Sequence, residues 1–239
     1  MRVVVINGSE KRGVTYKMKE LFLAQFKENA QITEFYLPKD CPNFCTGCTT
    51  CLLVDENKCK DAEYIQKVDK EIKESDLLVF TTPVYVYHAS AAMKNLLDHF
   101  AYRWMVHRPS KEMFGKRAVI ITQCIGGGWK SAAKDIKDSL QWWGISDIKV
   151  CAFKLGTSIK WDKLPEKKKK SIESTIRKKA KQLLEIDYTK PAKVKPVTKI
   201  KFYIVRMIQT KVGKADSAYK DYAYWKEQGW IDNVRPWKK

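Results

Sequence analysis

Two groups of residues in this sequence are of types, and at spacings, that do chemistry. The first is Asn7-Gly8-Ser9-Glu10-Lys11-Arg12-Gly13-Val14-Thr15, which leaves a short β-branched run and enters a helical period. Hydroxyls and backbone N–H groups converge there at the positive end of a helix dipole, a setting that suits a phosphate. The spacing approaches a nucleotide P-loop, but Val14 stands where the phosphate-gripping lysine belongs, which argues against ATP or GTP hydrolysis. A Gly-rich turn with Thr15 as helix cap is the purely structural alternative. The second group is Cys45, Cys48, Cys51 and Cys59, separated by two, two and seven residues. Four thiolates so spaced suit one [4Fe–4S] cluster. Zinc and a set of reduced thiols are the alternatives, although two successive two-residue gaps fit a cluster better than paired zinc knuckles. Cys41, Cys124 and Cys151 fall outside the spacing, and the last two lie on or just after strands, where cysteine is core material.

Two further loops offer binding surface. Pro83, Val84, Tyr85 and Val86 follow an apolar run; Pro83 fixes the backbone as the strand ends, and Tyr85 and Tyr87 present flat faces with polar tips to a planar ligand. Gly126, Gly127 and Gly128 permit close backbone approach to a ring, or form a flexible turn. The three histidines make no catalytic set: His88 lies in the tyrosine loop, His99 beside Asp98 on a helix, His107 after it. No Gly-x-Ser-x-Gly elbow is present, so hydrolase chemistry lacks a nucleophile.

Strand and helix periods alternate along the segment that must position these residues. Strands are expected at 2–6, 32–37, 77–81, 118–122 and 148–153, with helices over 15–26, 63–73, 90–104, up to Trp142, and 166–184. Parallel strands need crossover helices, so the expected fold is an α/β sandwich of three layers around a five-stranded parallel sheet of order 2-1-3-4-5. Ligands of such sheets sit beyond the carboxyl ends of the strands, at the loops 7–15, 82–88 and 123–129.

In that order the three loops resemble the NAD(P)H-dependent FMN reductases, a flavodoxin-like family. Gly8-Ser9-x-x-x-Gly13-x-Thr15 is similar to the family's phosphate loop, Thr82-Pro83-Val84-Tyr85 with Ser90 and Met93-Lys94-Asn95-Leu96-Leu97-Asp98 to its second loop and helix, and Gly126 to Gly128 to its third. The resemblance covers roughly residues 1–155. It implies FMN held at its phosphate by Ser9, Lys11, Arg12, Gly13 and Thr15, along its ring by Pro83, Val84, Tyr85 and Val86, and covered by Gly126, Gly127 and Gly128. It also implies NAD(P)H as co-substrate and a small-molecule or protein electron acceptor; the hydride step strictly requires no side-chain acid or base, so the catalytic residues stay unknown. The cysteine spacing resembles the iron–sulfur flavoproteins, a branch of the same family, whose cluster ligands would be Cys45, Cys48, Cys51 and Cys59; other members keep cysteines in this loop as thiols.

With 239 residues, 44% of them hydrophobic and eight tryptophans among them, the chain is long enough for one doubly wound domain and an appendage. The expected division is 1–185 and a basic, aromatic, helical arm at 186–239. The apolar run at Met1 is too short for a signal peptide, no segment is long enough to span a membrane, and seven cysteines do not form a secreted disulfide framework, so a cytoplasmic protein is expected. The net charge of +19 is concentrated: residues 1–150 carry +4 and residues 151–239 carry +15. Such an arm suits a partner subunit, an anionic membrane or nucleic acid. Its Tyr-Trp-Lys-Glu-x-Gly-Trp tail is similar to tails of some bacterial relatives, which implies an arm packed on its own homodimer and no role in nucleic-acid binding. The rival reading is a non-enzymatic binding protein that uses the arm.

Overall fold

The computed structural model of the protein describes residues 1–156 and 160–238. Five parallel strands, β1 (Arg2–Asn7), β2 (Gln31–Tyr36), β3 (Leu77–Pro83), β4 (Arg117–Cys124) and β5 (Asp147–Lys154), pair in the order β2-β1-β3-β4-β5. The expected sheet is thus the observed one. β3 is buried along its whole length, as an unbroken apolar run in a central parallel strand must be.

Side-chain alternation divides the core. Val4, Ile6, Leu78, Phe80 and Ile120 face one side, under α3 (Ala62–Glu74), α4 (Ala91–His99) and α5 (Trp129–Trp142). Val3, Val5, Leu77, Val79, Val119 and Ile121 face the other, under α1 (Val14–Leu23) and α6 (Glu166–Leu184). Each such aliphatic side chain, fully buried, contributes about 1.5–3 kcal/mol, so the two faces dominate the stability of the sandwich.

The elements differ from expectation mainly at their ends. α1 begins at Val14 with Gly13 as its cap, so Thr15 sits inside the first turn and caps nothing. α4 stops at His99, and Ala101–Arg103 continues as a 3-10 turn. The cysteine segment contains a one-turn helix, α2 (Thr50–Leu53), entered through Thr49 at φ +59°.

The C-terminal segment forms α7 (Pro196–Ala215) and α8 (Lys220–Glu227). Phe202, Val205, Trp225 and Trp230 join Met105 and Phe114 in a third buried cluster. Phe202, Trp225 and Trp230 are therefore covered by their own chain, and they supply no reason to invoke a second subunit. What α7 leaves exposed is mainly aliphatic, Val197, Ile200, Ile204, Met207 and Ile208, together with Tyr203.

Candidate functional site

The loop after β1 is fixed from below before it reaches any ligand. The Gly8 N–H donates to the Thr81 carbonyl at 2.7 Å, and the Ser90 hydroxyl donates to the Gly8 carbonyl at 2.5 Å. A side chain at Gly8 would meet Ser90 Oγ at 2.8 Å, so only glycine admits this approach. Ser90 also accepts from the Met93 N–H as the cap of α4, which ties the first loop to the second. Past Gly8, Ser9 Oγ accepts from the Lys11 N–H at 3.1 Å, and Gly13 caps α1 without a side-chain hydrogen bond to its first turn. The α1 amino terminus is therefore open, and its orphan N–H groups face the cleft.

The second loop is a tight hairpin. Tyr85 and His88 exchange backbone hydrogen bonds of 3.0 Å, and the two residues between them, Val86 at φ +46° and Tyr87 at φ +68°, lie in the left-handed region. That is the dihedral signature of a type I′ turn, usually built from Asn and Gly. A β-branched residue there carries strain of about 1–3 kcal/mol, and Val86 is 94% exposed. Asp135 of α5 holds the turn from outside, accepting from the Ala89 N–H and pairing with His88 Nδ1, both at 3.0 Å. His88 is thereby directed at Asp135, and the other two histidines are also engaged: His99 with the Asn43 carbonyl and His107 with Asp221.

The third loop closes against the second. Gly128, at φ +92°, caps α5, and a side chain at Gly127 would meet the Tyr87 ring at 3.4 Å. Together the three loops enclose a cleft of about 410 Å³ at the carboxyl end of the sheet. Of the residues expected there, Ser9, Lys11, Gly13, Thr15, Pro83, Val84, Tyr85, Val86, Gly126 and Gly127 line it. Arg12 and Gly128 do not: the Arg12 guanidinium lies over the Tyr16 ring at 5.6 Å, and Gly128 is consumed by the loop contact.

The cleft also contains Asn7, Gln123, Cys124 and Ile125, which lie in the expected loops but were given no role, and Tyr16 and Thr81, which lie just outside them. Most close strands at their carboxyl ends, which was the available signal. Gln123 Nε2 donates to Thr15 Oγ1 at 3.3 Å, while its buried Oε1 has no partner among the described residues. An orphaned acceptor of this kind calls for a ligand donor or water. No described lining residue is Asp or Glu, and Lys11 has no ion-pair partner among the described residues. Below the floor, Asn7 donates to Glu34 at 3.0 Å, and Glu34 is bound by the wholly buried Lys19 at 2.6 Å. Burial works most strongly against the Glu34 carboxylate, but the hydrogen bonds from Lys19, Asn7 and Tyr36 and the Lys19 charge together outweigh it and hold the group below its ordinary range.

Cys45, Cys48, Cys51 and Cys59 line one separate cavity of about 330 Å³. All seven cysteines are free thiols. Burial and the proximity of Cys59, Cys45 and Cys48 push the Cys51 thiol up, whereas hydrogen bonds from Thr50 hold Cys48 down. Asp61 and His99, which the spacing did not reveal, share the cavity; one ligand atom each from Cys59, Asp61 and His99 falls within 4.8 Å of the others. Asp61 Oδ2 is buried and without a hydrogen-bond partner among the described residues. The far wall is held by the arm. Buried Arg108 binds the Cys51 and Leu52 carbonyls together with Glu56 and Asp221, and Lys220 binds the Val54 carbonyl and Asp55.

Comparison with known proteins places these features. The family model of the NADPH-dependent FMN reductases matches residues 1–158. An iron–sulfur flavoprotein of Archaeoglobus fulgidus is 27% identical over 151 residues, covering 62% of this chain and 66% of that protein. One of Methanocaldococcus jannaschii is 33% identical over 100 residues, 41% of this chain and 51% of that protein. The chain thus spans about half to two thirds of the length of these curated relatives. Among solved structures, an FMN-dependent NADH-azoreductase of Bacillus anthracis in complex with FMN superposes with a TM-score of 0.59 at 15% identity, covering 77% of this chain and 99% of the other, a likeness of fold.

Proposed function

Because the chain belongs to the NADPH-dependent FMN reductase family, we propose that its cleft holds FMN and serves electron transfer from NAD(P)H to a small-molecule or protein acceptor. The observation that carries this reading is the open α1 amino terminus, facing a cleft with cationic Lys11 and no described carboxylate, beside a strained aromatic turn. Ser9, Gly13 and Thr15 would hold the phosphate by hydroxyl and backbone N–H groups, with Lys11 supplying charge and Arg12 adding to it from outside the lining. Pro83, Val84, Tyr85 and Val86 would flank the ring, Gly126 and Gly127 would cover it, and Gly128 would hold the covering loop in place. Bound FMN would accept hydride from the nicotinamide and pass electrons onward. The chain's own part is to bind, orient and exclude water; the described lining offers tyrosine hydroxyls, Lys11 and Gln123 but no carboxylate or imidazole. Absorbance of the purified protein tests the reading: flavin bands support it, and colourless protein that takes up no FMN overturns it.

A second reading is favoured by one observation, that four cysteines separated in sequence line a single cavity. Four thiols on one cavity are a donor set suited to a [4Fe–4S] cluster, whose ligands they would be and which would let electrons leave the flavin singly. About four iron per chain in anaerobic protein, lost in Cys48→Ser with FMN retained, is the expected result. Homodimer assembly through a face other than the outer face of α7, and a cytoplasmic location, complete the proposal. No helix is long and apolar enough to cross a membrane among the described residues.

A further inference from the structure

α7 is apolar on two opposite faces. Thr198, Phe202, Val205 and Gln209 are buried against the body, while Ile200, Ile204 and Met207, with Val197 and Ile208 beside them, recur at helical spacing on the other side. These are large aliphatic groups left in solvent: Ile200 is 58% and Met207 67% exposed. A helix that carries a second apolar face is ordinarily covered on that face too, so the outer face has an occupant.

Charge selects among the possible occupants. From Tyr188 to Ala215 the chain contains eight Lys or Arg and no Asp or Glu. On α7 itself Lys201, Lys211 and Lys214 border or interrupt the aliphatic stripe. A second copy of the same face would bring lysines against lysines, which opposes self-association. Nucleic acid is bound through cations with stacking aromatics or polar base readers, whereas this stripe is isoleucine, valine and methionine, and the exposed aromatic of α7, Tyr203, already packs against Phe202, Trp237 and the Arg235 guanidinium. An apolar stripe rimmed by cations and lacking carboxylates matches the boundary of an anionic bilayer, where aliphatic groups enter the acyl region and ammonium groups meet lipid phosphates.

We infer that α7 is an interfacial anchor that docks the protein on anionic lipid surfaces, lying in the plane of the membrane with Ile200, Ile204 and Met207 inserted. The placement is compatible with an active cleft. The residues beneath α7, Met105, Phe114 and Trp142, precede β4 or end α5, at the amino ends of the strands, whereas the cleft lies at the carboxyl ends. The inference is independent of the flavin reading, since α7 lies outside the cleft.

Co-sedimentation of the full chain with vesicles tests it. Phosphatidylcholine vesicles containing about one third phosphatidylglycerol should bind the protein at least tenfold more tightly than pure phosphatidylcholine, with binding weakened by high salt. Ile204→Ser with Met207→Ser should reduce partitioning by at least about tenfold, and Lys211→Glu with Lys214→Glu should remove the preference for anionic lipid. All four positions are exposed, and circular dichroism checks that the variants fold. Failure to bind anionic vesicles, unchanged binding by the serine variant, or a dimer in light scattering that the serine variant converts to monomer would each overturn the inference. Equal binding to double-stranded DNA by wild type and serine variant, with no vesicle binding, would assign the basic face to nucleic acid instead.

Discussion

A methyl group on Gly128 would sit 2.6 Å from the Tyr87 Cα and 2.8 Å from Val84 Cγ1. The third loop therefore packs on the strained turn of the second at a distance that only glycine permits, and Gly128 at φ +92° adds a conformational demand of its own. Gly128→Ala should cost about 1–3 kcal/mol in urea unfolding and weaken FMN by roughly tenfold or more, although Gly128 does not line the cleft. Gly126→Ala, where a side chain meets open space, is the control and should leave stability within about 0.5 kcal/mol. Equal effects at the two positions would contradict this account of the loop contact.

Thr15 faces the α1 amino terminus and accepts from Gln123. If its hydroxyl also serves a phosphate, Thr15→Val removes a hydrogen bond to a charged group worth about 1.5–3 kcal/mol. FMN should then bind roughly ten- to a hundredfold more weakly, with riboflavin little affected. Isothermal titration with both flavins decides it, since equal losses mean that the phosphate lies elsewhere.

Lys19 is buried beneath the cleft floor, bound to Glu34, Glu20 and the Tyr36 hydroxyl. Burial disfavours its ammonium, but these partners hold it well above the ordinary lysine range. Glu34, with its pKa depressed, contributes stability that is present at neutral pH and lost as pH falls through the lowered value. Lys19→Met strands Glu34, which is partly solvated, so the cost at pH 7 should be about 1–3 kcal/mol rather than the full penalty of a buried ion. Without Lys19 the Glu34 pKa rises to or above its ordinary value, so the deficit should shrink as the solution is acidified from neutral through the ordinary carboxylate range of about pH 4 to 5. Urea unfolding at pH 7 and pH 4 measures this, and a deficit independent of pH would point to lost packing alone.

Asp221 of the arm and Arg108 form a buried pair that also holds the Cys51 and Leu52 carbonyls. Asp221→Asn should destabilise the protein by about 3 kcal/mol and speed alkylation of Cys51 as its loop loosens, with FMN binding preserved. Mass-spectrometric labelling rates for each thiol read this directly. Unchanged labelling would mean that the cysteine loop stands without the arm.

The sheet was legible because its signals are local and redundant: β-branched runs with helical periods between them mark a doubly wound fold, and five strands favour the order 2-1-3-4-5 over 3-2-1-4-5-6. The phosphate loop was legible for a similar reason, since Gly13 and the start of α1 are neighbours in sequence. Gln123 was not, because its link to Thr15 joins residues 108 apart through the pairing of strands. His99 escaped a reading based on cysteine spacing, as α4 brings it to the cavity only in three dimensions, and Asp61, two residues after Cys59, escaped because that reading weighed thiols alone. The arm shows the limit most clearly: its tryptophans are visible in the sequence, but the pocket that receives them, made by Met105 and Phe114, is a product of folding.

The central claim is that the three-loop cleft is an FMN site selected by the phosphate. Fluorescence titration of the purified full chain, stripped of any flavin, with FMN and with riboflavin tests it most directly. The account predicts saturation at one FMN per chain with quenched flavin emission, and riboflavin bound at least about tenfold more weakly. Absence of saturable FMN binding, or equal affinity for the two flavins, would contradict it.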